Sequence, residues 1–98
     1  MIQREGDRTA IIPIGRIDAN SSQRFADEIN EALPGTRELV LDFSQLDYIS
    51  SSGLKVVLQA MKTMAGRGEF RIVGVRPAIY EILEFAGFLG MCDVEKQG

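Results

Sequence analysis

Three consecutive hydroxyls followed by glycine, Ser50-Ser51-Ser52-Gly53, are the residues of this chain best placed to do chemistry. They fall between an apolar, strand-like segment and the most regular amphipathic stretch of the sequence, and so at a helix start. There the first backbone N–H groups are unpaired and the helix dipole is positive. A hydroxyl in that position is exposed, carried by a rigid element, and close to groups that tolerate an anion. A phosphoryl group on Ser51 would bring about −1.5 to −2 charges at neutral pH. It could change the surface without unfolding the domain. A plainer role is open to the same residues, because serine is a favoured N-cap whose loss costs about 1 kcal/mol. One cap needs only one serine, and local physics leaves both roles standing.

Other chemistry is sparse. The chain has no histidine, which removes a Ser-His-Asp triad, a Cys-His pair and a histidine-containing zinc site. A lysine-activated serine needs an approach in space that spacing does not specify. Asp42 and Asp47 lack a third converging ligand and read as solvated loop carboxylates. Asp18, between a strand and a helix, reads as a helix-start or loop-bonding carboxylate. The lone Cys92 reads as a small buried apolar residue. Gly66-Arg67-Gly68 follows a helix and lacks a closing lysine-serine pair, so it is a turn and not a phosphate-cradling loop. No cofactor or metal is expected, and action by binding is favoured over catalysis.

The bulk properties agree. With 98 residues the chain fits one domain spanning residues 1–98, and its hydrophobic (45%) and charged (26%) fractions suit a folded core. The formal net charge of −3 offers no basic footprint, so direct contact with nucleic acid or an anionic membrane is not expected. A single cysteine suits a reducing compartment. With no signal-like segment or long apolar span, the expected location is cytoplasmic.

The elements that must position the serines follow from periodicity. A short strand near Ile2–Glu5 and a strand over Thr9–Ile14 come first, with Pro13 pointing to an edge or bulge. A helix is predicted over Asn20–Leu33, capped by Asn20 or Ser21 with Gln23 in a capping-box position. Its inward face carries Phe25, Ile29, Ala32 and Leu33. The apolar run in Glu38–Phe43 predicts a central strand covered on both faces, with Ser44–Ile49 as a loop. Gly53–Ala65 is the clearest helix, with Leu54, Val57, Leu58, Met61 and Met64 on one stripe. Phe70–Val75 is a strand. Pro77 opens a last helix that turns Ile79, Ile82, Leu83 and Ala86 inward, and the pattern of Met91–Glu95 permits a last strand. This alternation predicts an α/β domain with a mixed four- to five-stranded sheet and packed helices.

The run Leu41-Asp42-Phe43-Ser44-Gln45-Leu46-Asp47-Tyr48-Ile49-Ser50-Ser51-Ser52-Gly53-Leu54 resembles the signature of the STAS domain, the module of bacterial anti-sigma factor antagonists. Gly15-Arg16-Ile17-Asp18 is similar to the family's motif before its first helix. Val75-Arg76-Pro77 and Phe85-Ala86-Gly87-Phe88 also fit. The resemblance implies a partner switch: an anti-sigma factor that is itself a serine kinase phosphorylates Ser51 and is released, and a metal-dependent serine phosphatase resets the protein. It implies a role for Ser52 in recognition, and a partner-binding surface comprising Asp18, Asn20, Ser21, Ser50, Ser51, Ser52 and Gly53. Ser50 stands where many members carry aspartate, which leaves the kinase open and makes Ser50 a second candidate acceptor. A different use of the same fold, as regulatory subunit of a membrane lipid ABC transporter, is the alternative that the resemblance allows.

Overall fold

The computed structural model describes residues 1–97. Four strands, β1 (Ile2–Glu5), β2 (Arg8–Ile11), β4 (Glu38–Asp42) and β6 (Glu69–Val75), join β7 (Asp93–Lys96) in a five-stranded sheet ordered β1-β2-β4-β6-β7. Only the β1–β2 pairing is antiparallel, so the sheet is mixed, as the alternation predicts. The parallel strands are linked through helices α1 (Ser22–Ala32), α2 (Ser51–Met64) and α3 (Pro77–Phe85), with a 3₁₀ turn at Phe88–Gly90 before β7.

A second, two-stranded parallel sheet pairs β3 (Gly15–Ile17) with β5 (Leu46–Ile49). The sequence reading places a loop over Ser44–Ile49 and one strand over Thr9–Ile14. Both expectations are corrected here. Pro13 has no N–H to give to a ladder, so β2 stops at Ile11 and the chain leaves the main sheet before re-forming as β3. The bond partner that makes Leu46–Ile49 a strand lies some thirty residues away in sequence, beyond the reach of a local pattern.

One face of the main sheet packs on the helices. Ile11, Leu39, Leu41, Phe43 and Ile72 form a single core with Phe25, Ile29, Val57, Ala60, Met64, Ile79 and Leu83. The opposite face holds Val40 in a shallow groove lined by Gln3, Glu5, Arg8, Ala10, Asp42 and Val73, with no helical residue among them. The central strand is therefore covered on both sides, but by helices on one and by polar side chains on the other. Val40 is 3% exposed. A ladder of charge runs across that face from Arg8 through Glu38 and Arg71 to Glu95, at 3.4–3.8 Å. Half-exposed pairs of this kind contribute little stability, while the long arginine stems cover apolar surface.

Smaller differences sit at element ends. Met61 is only half-buried although it lies on the α2 stripe, and Ala86 is exposed because α3 ends at Phe85, which is itself 95% exposed.

Gly68 shows how tightly the return from α2 to β6 is drawn. Its own N–H bonds the Met64 carbonyl, and the next residue, Glu69, donates to the Arg37 carbonyl at 2.8 Å. A Cβ on residue 68 would stand 1.8 Å from that carbonyl oxygen. Backbone cannot yield as a side-chain tip can, so Gly68→Ala is expected to lower unfolding free energy by about 2–3 kcal/mol or more. Urea denaturation measures this, and a loss below about 0.5 kcal/mol, the range of ordinary surface substitutions, would contradict the close approach.

Candidate functional site

The serine turn is built where β3 and β5 end together. The two strands run parallel with Arg16 beside Tyr48 and Ile17 beside Ile49. The ladder closes with the Ser50 N–H donating to the Ile17 carbonyl at 2.8 Å. Beyond this bond both chains turn into helices, β3 towards α1 and β5 towards α2. The segments 18–22 and 50–53 are thereby set side by side at one end of the molecule. Among the described residues no hydrogen bond joins the two helix starts directly; the Ile17–Ser50 backbone bond links them.

The three serines have different surroundings. Ser50 is the N-cap of α2: its backbone is extended (φ −85°, ψ 173°) and its Oγ accepts from the Gly53 N–H at 3.2 Å. The same Oγ is 2.8 Å from the Ser52 Oγ, so those two hydroxyls share a hydrogen bond. Helix α2 begins at Ser51, two residues before the predicted start at Gly53. Ser51 therefore occupies the first helical position, exposed, with no side-chain hydrogen bond among the described residues. The first turn of α2 contains no acidic residue, so no fixed carboxylate there offsets the positive end of the dipole.

The start of α1 is organised by Asp18 and not by the predicted capping box. The Asp18 Oδ1 accepts from the backbone N–H of Asn20 (2.9 Å) and of Ser21 (3.0 Å). Ser21 occupies the cap position but its hydroxyl does not cap; it accepts from the Asp18 N–H at 2.9 Å and lies 3.1 Å from the Arg16 carbonyl, to which it can donate. Gln23 donates instead to Asp27, one turn along. The competing acceptor is simply nearer: a carboxylate two and three residues back satisfies the free N–H groups first. Asn20 is exposed and takes part through its backbone alone. The backbone N–H of Ser21, then that of Asn20, hold the Asp18 carboxyl below the ordinary aspartate value of 3.8.

Gly53 is the point of closest approach between α2 and the short sheet. A Cβ there would lie 2.7 Å from both Ile17 Cγ2 and Ile49 Cγ1. These isoleucines are 2% and 3% exposed, and hydrogen on residue 53 is what lets the helix start seat against them.

Some neighbours carried no signal in the sequence. The Arg16 guanidinium lies over the Tyr48 ring, 4.4 Å from its centroid, and Tyr48 is exposed beside the serine turn. That contact depends on β3 and β5 being paired, which one-dimensional periodicity did not reveal. Asp42 and Asp47 have separate partners: Asp42 accepts from the Ser44 N–H at 2.9 Å, and Asp47 pairs with Arg76. Cys92 is half-buried, and burial followed by the charge of Asp93 raises its thiol above the usual range. No helix among the described residues is long and apolar enough to cross a membrane.

The family model described as the STAS domain matches residues 1–97. BtrV of Bordetella bronchiseptica, which carries the name of an anti-sigma factor antagonist, is 39% identical over 77 residues, covering 78% of this chain and 66% of BtrV. The matched part is just under two thirds of that relative's length. An anti-sigma factor antagonist from Mycobacterium paratuberculosis superposes with a TM-score of 0.89 at 18% identity, over 97% of this chain and 82% of that one. The antagonist SpoIIAA superposes in its unphosphorylated form with a TM-score of 0.77 at 17% identity, over 100% of this chain and 87% of that one. Its phosphorylated Bacillus form gives 0.76 at 18% identity, over 96% and 88%. At these identities the structures establish a shared fold.

Two measurements test the site's construction. Gly53→Ala should cost about 1–3 kcal/mol of stability through overpacking against Ile17 and Ile49; an unchanged urea midpoint would refute the contact. Asp18 should titrate below 3.8 in the folded protein. Since the folded value lies below the unfolded one near 3.9, its stabilisation is complete above the unfolded value and is lost as pH falls through the folded value. Asp18→Asn should therefore flatten the acid limb of the stability curve, and a carboxyl NMR midpoint at or above 3.8 would contradict the bonding described.

Proposed function

This chain belongs to the STAS domain family, and from that premise we propose that it is an anti-sigma factor antagonist that works by switching partners. In its unphosphorylated form it binds an anti-sigma factor, a serine kinase, and so frees a sigma factor. Phosphorylation of Ser51 releases the kinase, and a serine phosphatase restores the hydroxyl. The surface that meets the kinase is made of the two adjoining helix starts, with Asp18, Asn20 and Ser21 on one and Ser50, Ser51, Ser52 and Gly53 on the other.

The observation that carries this reading is the difference among the three hydroxyls. Ser50 and Ser52 bond to each other, and Ser50 also caps α2. Among the described residues, Ser51 alone of the three is exposed and makes no side-chain hydrogen bond. Phosphoryl transfer to it forms one Oγ–P bond as the bond to the γ-phosphorus of a bound nucleoside triphosphate breaks. The hydroxyl proton leaves to a base on the kinase, and the nucleoside diphosphate is the leaving group. This chain supplies the acceptor and its presentation; the catalytic groups belong to the partner. Ser50, although next to it, would have to give up the cap before it could reach a kinase, at about 1 kcal/mol.

Reconstitution with the cognate kinase and a nucleoside triphosphate tests the assignment. Ser51→Ala should still bind the kinase while gaining no phosphoryl group by intact-mass measurement. Stoichiometric phosphorylation of the Ser51→Ala protein would reject Ser51 as the acceptor.

A further inference from the structure

We propose that Lys55 is the intramolecular counter-ion of a phosphoryl group on Ser51, and that their pairing withdraws the one charged side chain lining the apolar groove between α1 and α2. The inference rests on the reading of Ser51 as phosphoacceptor and concerns what the modification does to this protein's own surface.

Ser51 and Lys55 are four residues apart within α2, with the site of negative charge on the N-terminal side. Side chains at this spacing lie on one face, and each Cα–Cβ bond leans towards the helix start. Lys55 therefore reaches back over the turn that carries Ser51. An anion preceding a lysine by four positions is also the more favourable orientation of a helical ion pair. Both residues are exposed, and among the described residues Lys55 makes neither an ion pair nor a side-chain hydrogen bond. The ammonium is thus available without breaking an existing contact. Arg16, another cation near this end, already rests on the Tyr48 ring.

Lys55 has a second environment. It lines a groove of about 190 Å³ between the two helices, together with apolar residues that include Ala26, Ile29, Leu33, Val56 and Ala60. The remaining lining residues, Asn30, Gln59 and Thr63, are uncharged. Among the described residues that line the groove, Lys55 is therefore the only charged one. Drawing it towards position 51 leaves the groove with no cationic edge, one helical turn away from the modified residue. The modification then alters two features of one surface together: it adds a dianion and removes a neighbouring cation.

The test uses the full chain with phosphoserine installed at position 51 during synthesis, and follows the second phosphate ionisation by phosphorus NMR. Pairing with Lys55 favours the dianion. Lys55→Gln should raise the midpoint by about 0.2–0.4 pH unit, the range expected of an i,i+4 pair on a helix. Lys62→Gln removes the same charge from the same helix two turns further on, and should leave the midpoint in place. Equal midpoints for the Lys55 and Lys55→Gln proteins would overturn the pairing, as would an equal shift from Lys62→Gln, which would mark a general charge effect. The readout does not require the kinase. A midpoint indifferent to Lys55 defeats this inference while Ser51 stays an acceptor, whereas a kinase that ignores Ser51 defeats the preceding reading and leaves a Lys55-dependent midpoint standing.

Discussion

The geometry of the serine turn depends on one backbone hydrogen bond, from the Ser50 N–H to the Ile17 carbonyl. It is the last rung of a parallel pair only three to four residues long. So short a pair is weak alone, and it is held because Ile17 and Ile49 insert into the common core. Gly53 completes the arrangement by letting α2 start directly against those two side chains. Core packing, strand pairing and helix start are thus one joint. Displacing any of them moves the hydroxyl of Ser51 relative to Asp18 and the start of α1.

In the proposed switch, this joint would let a small modification matter without refolding the domain. Carrying a two-state population from almost wholly one form to almost wholly the other takes a discrimination of about 5.5 kcal/mol. The field of a helix start supplies about 0.3–1 kcal/mol, and acts within this protein alone. In the proposed switch the larger part would come from a partner surface shaped for a hydroxyl that meets a dianion. A rigid presentation favours that outcome, because a residue in the first turn of a packed helix cannot swing aside to relieve the clash. Ser50 caps without charge, and the first turn of α2 that follows it carries no acidic residue.

Much of the fold was readable because local pattern and tertiary role agree. The continuous run Leu39-Val40-Leu41 announces a central strand, and the α2 stripe through Val57 and Met64 announces a packed helix; all of these residues are buried. Disagreement appears where a neighbour distant in sequence decides. Tyr48 and Asp47 are exposed, so Leu46–Ile49 lacks the alternation of an ordinary strand, and only pairing with Gly15–Ile17 makes it one. Gln23 has the spacing of a capping box, yet Asp18 lies closer to the same donors.

Sequence alone determined that this is a mixed α/β domain and that a hydroxyl cluster stands at a helix start, because periodicity, glycine and proline act over a few residues. Its motifs also pointed to the family. Tertiary structure decided what those motifs could not: that β3 and β5 pair, that two helix starts therefore adjoin, and that the three serines differ. Ser50 is a cap, Ser52 is its partner, and the Ser51 hydroxyl bonds to no side chain or backbone group among the described residues. The reason is that a hydroxyl's availability depends on which donors and acceptors surround it in space. Three identical side chains in a row acquire different roles only when the backbone around them is folded.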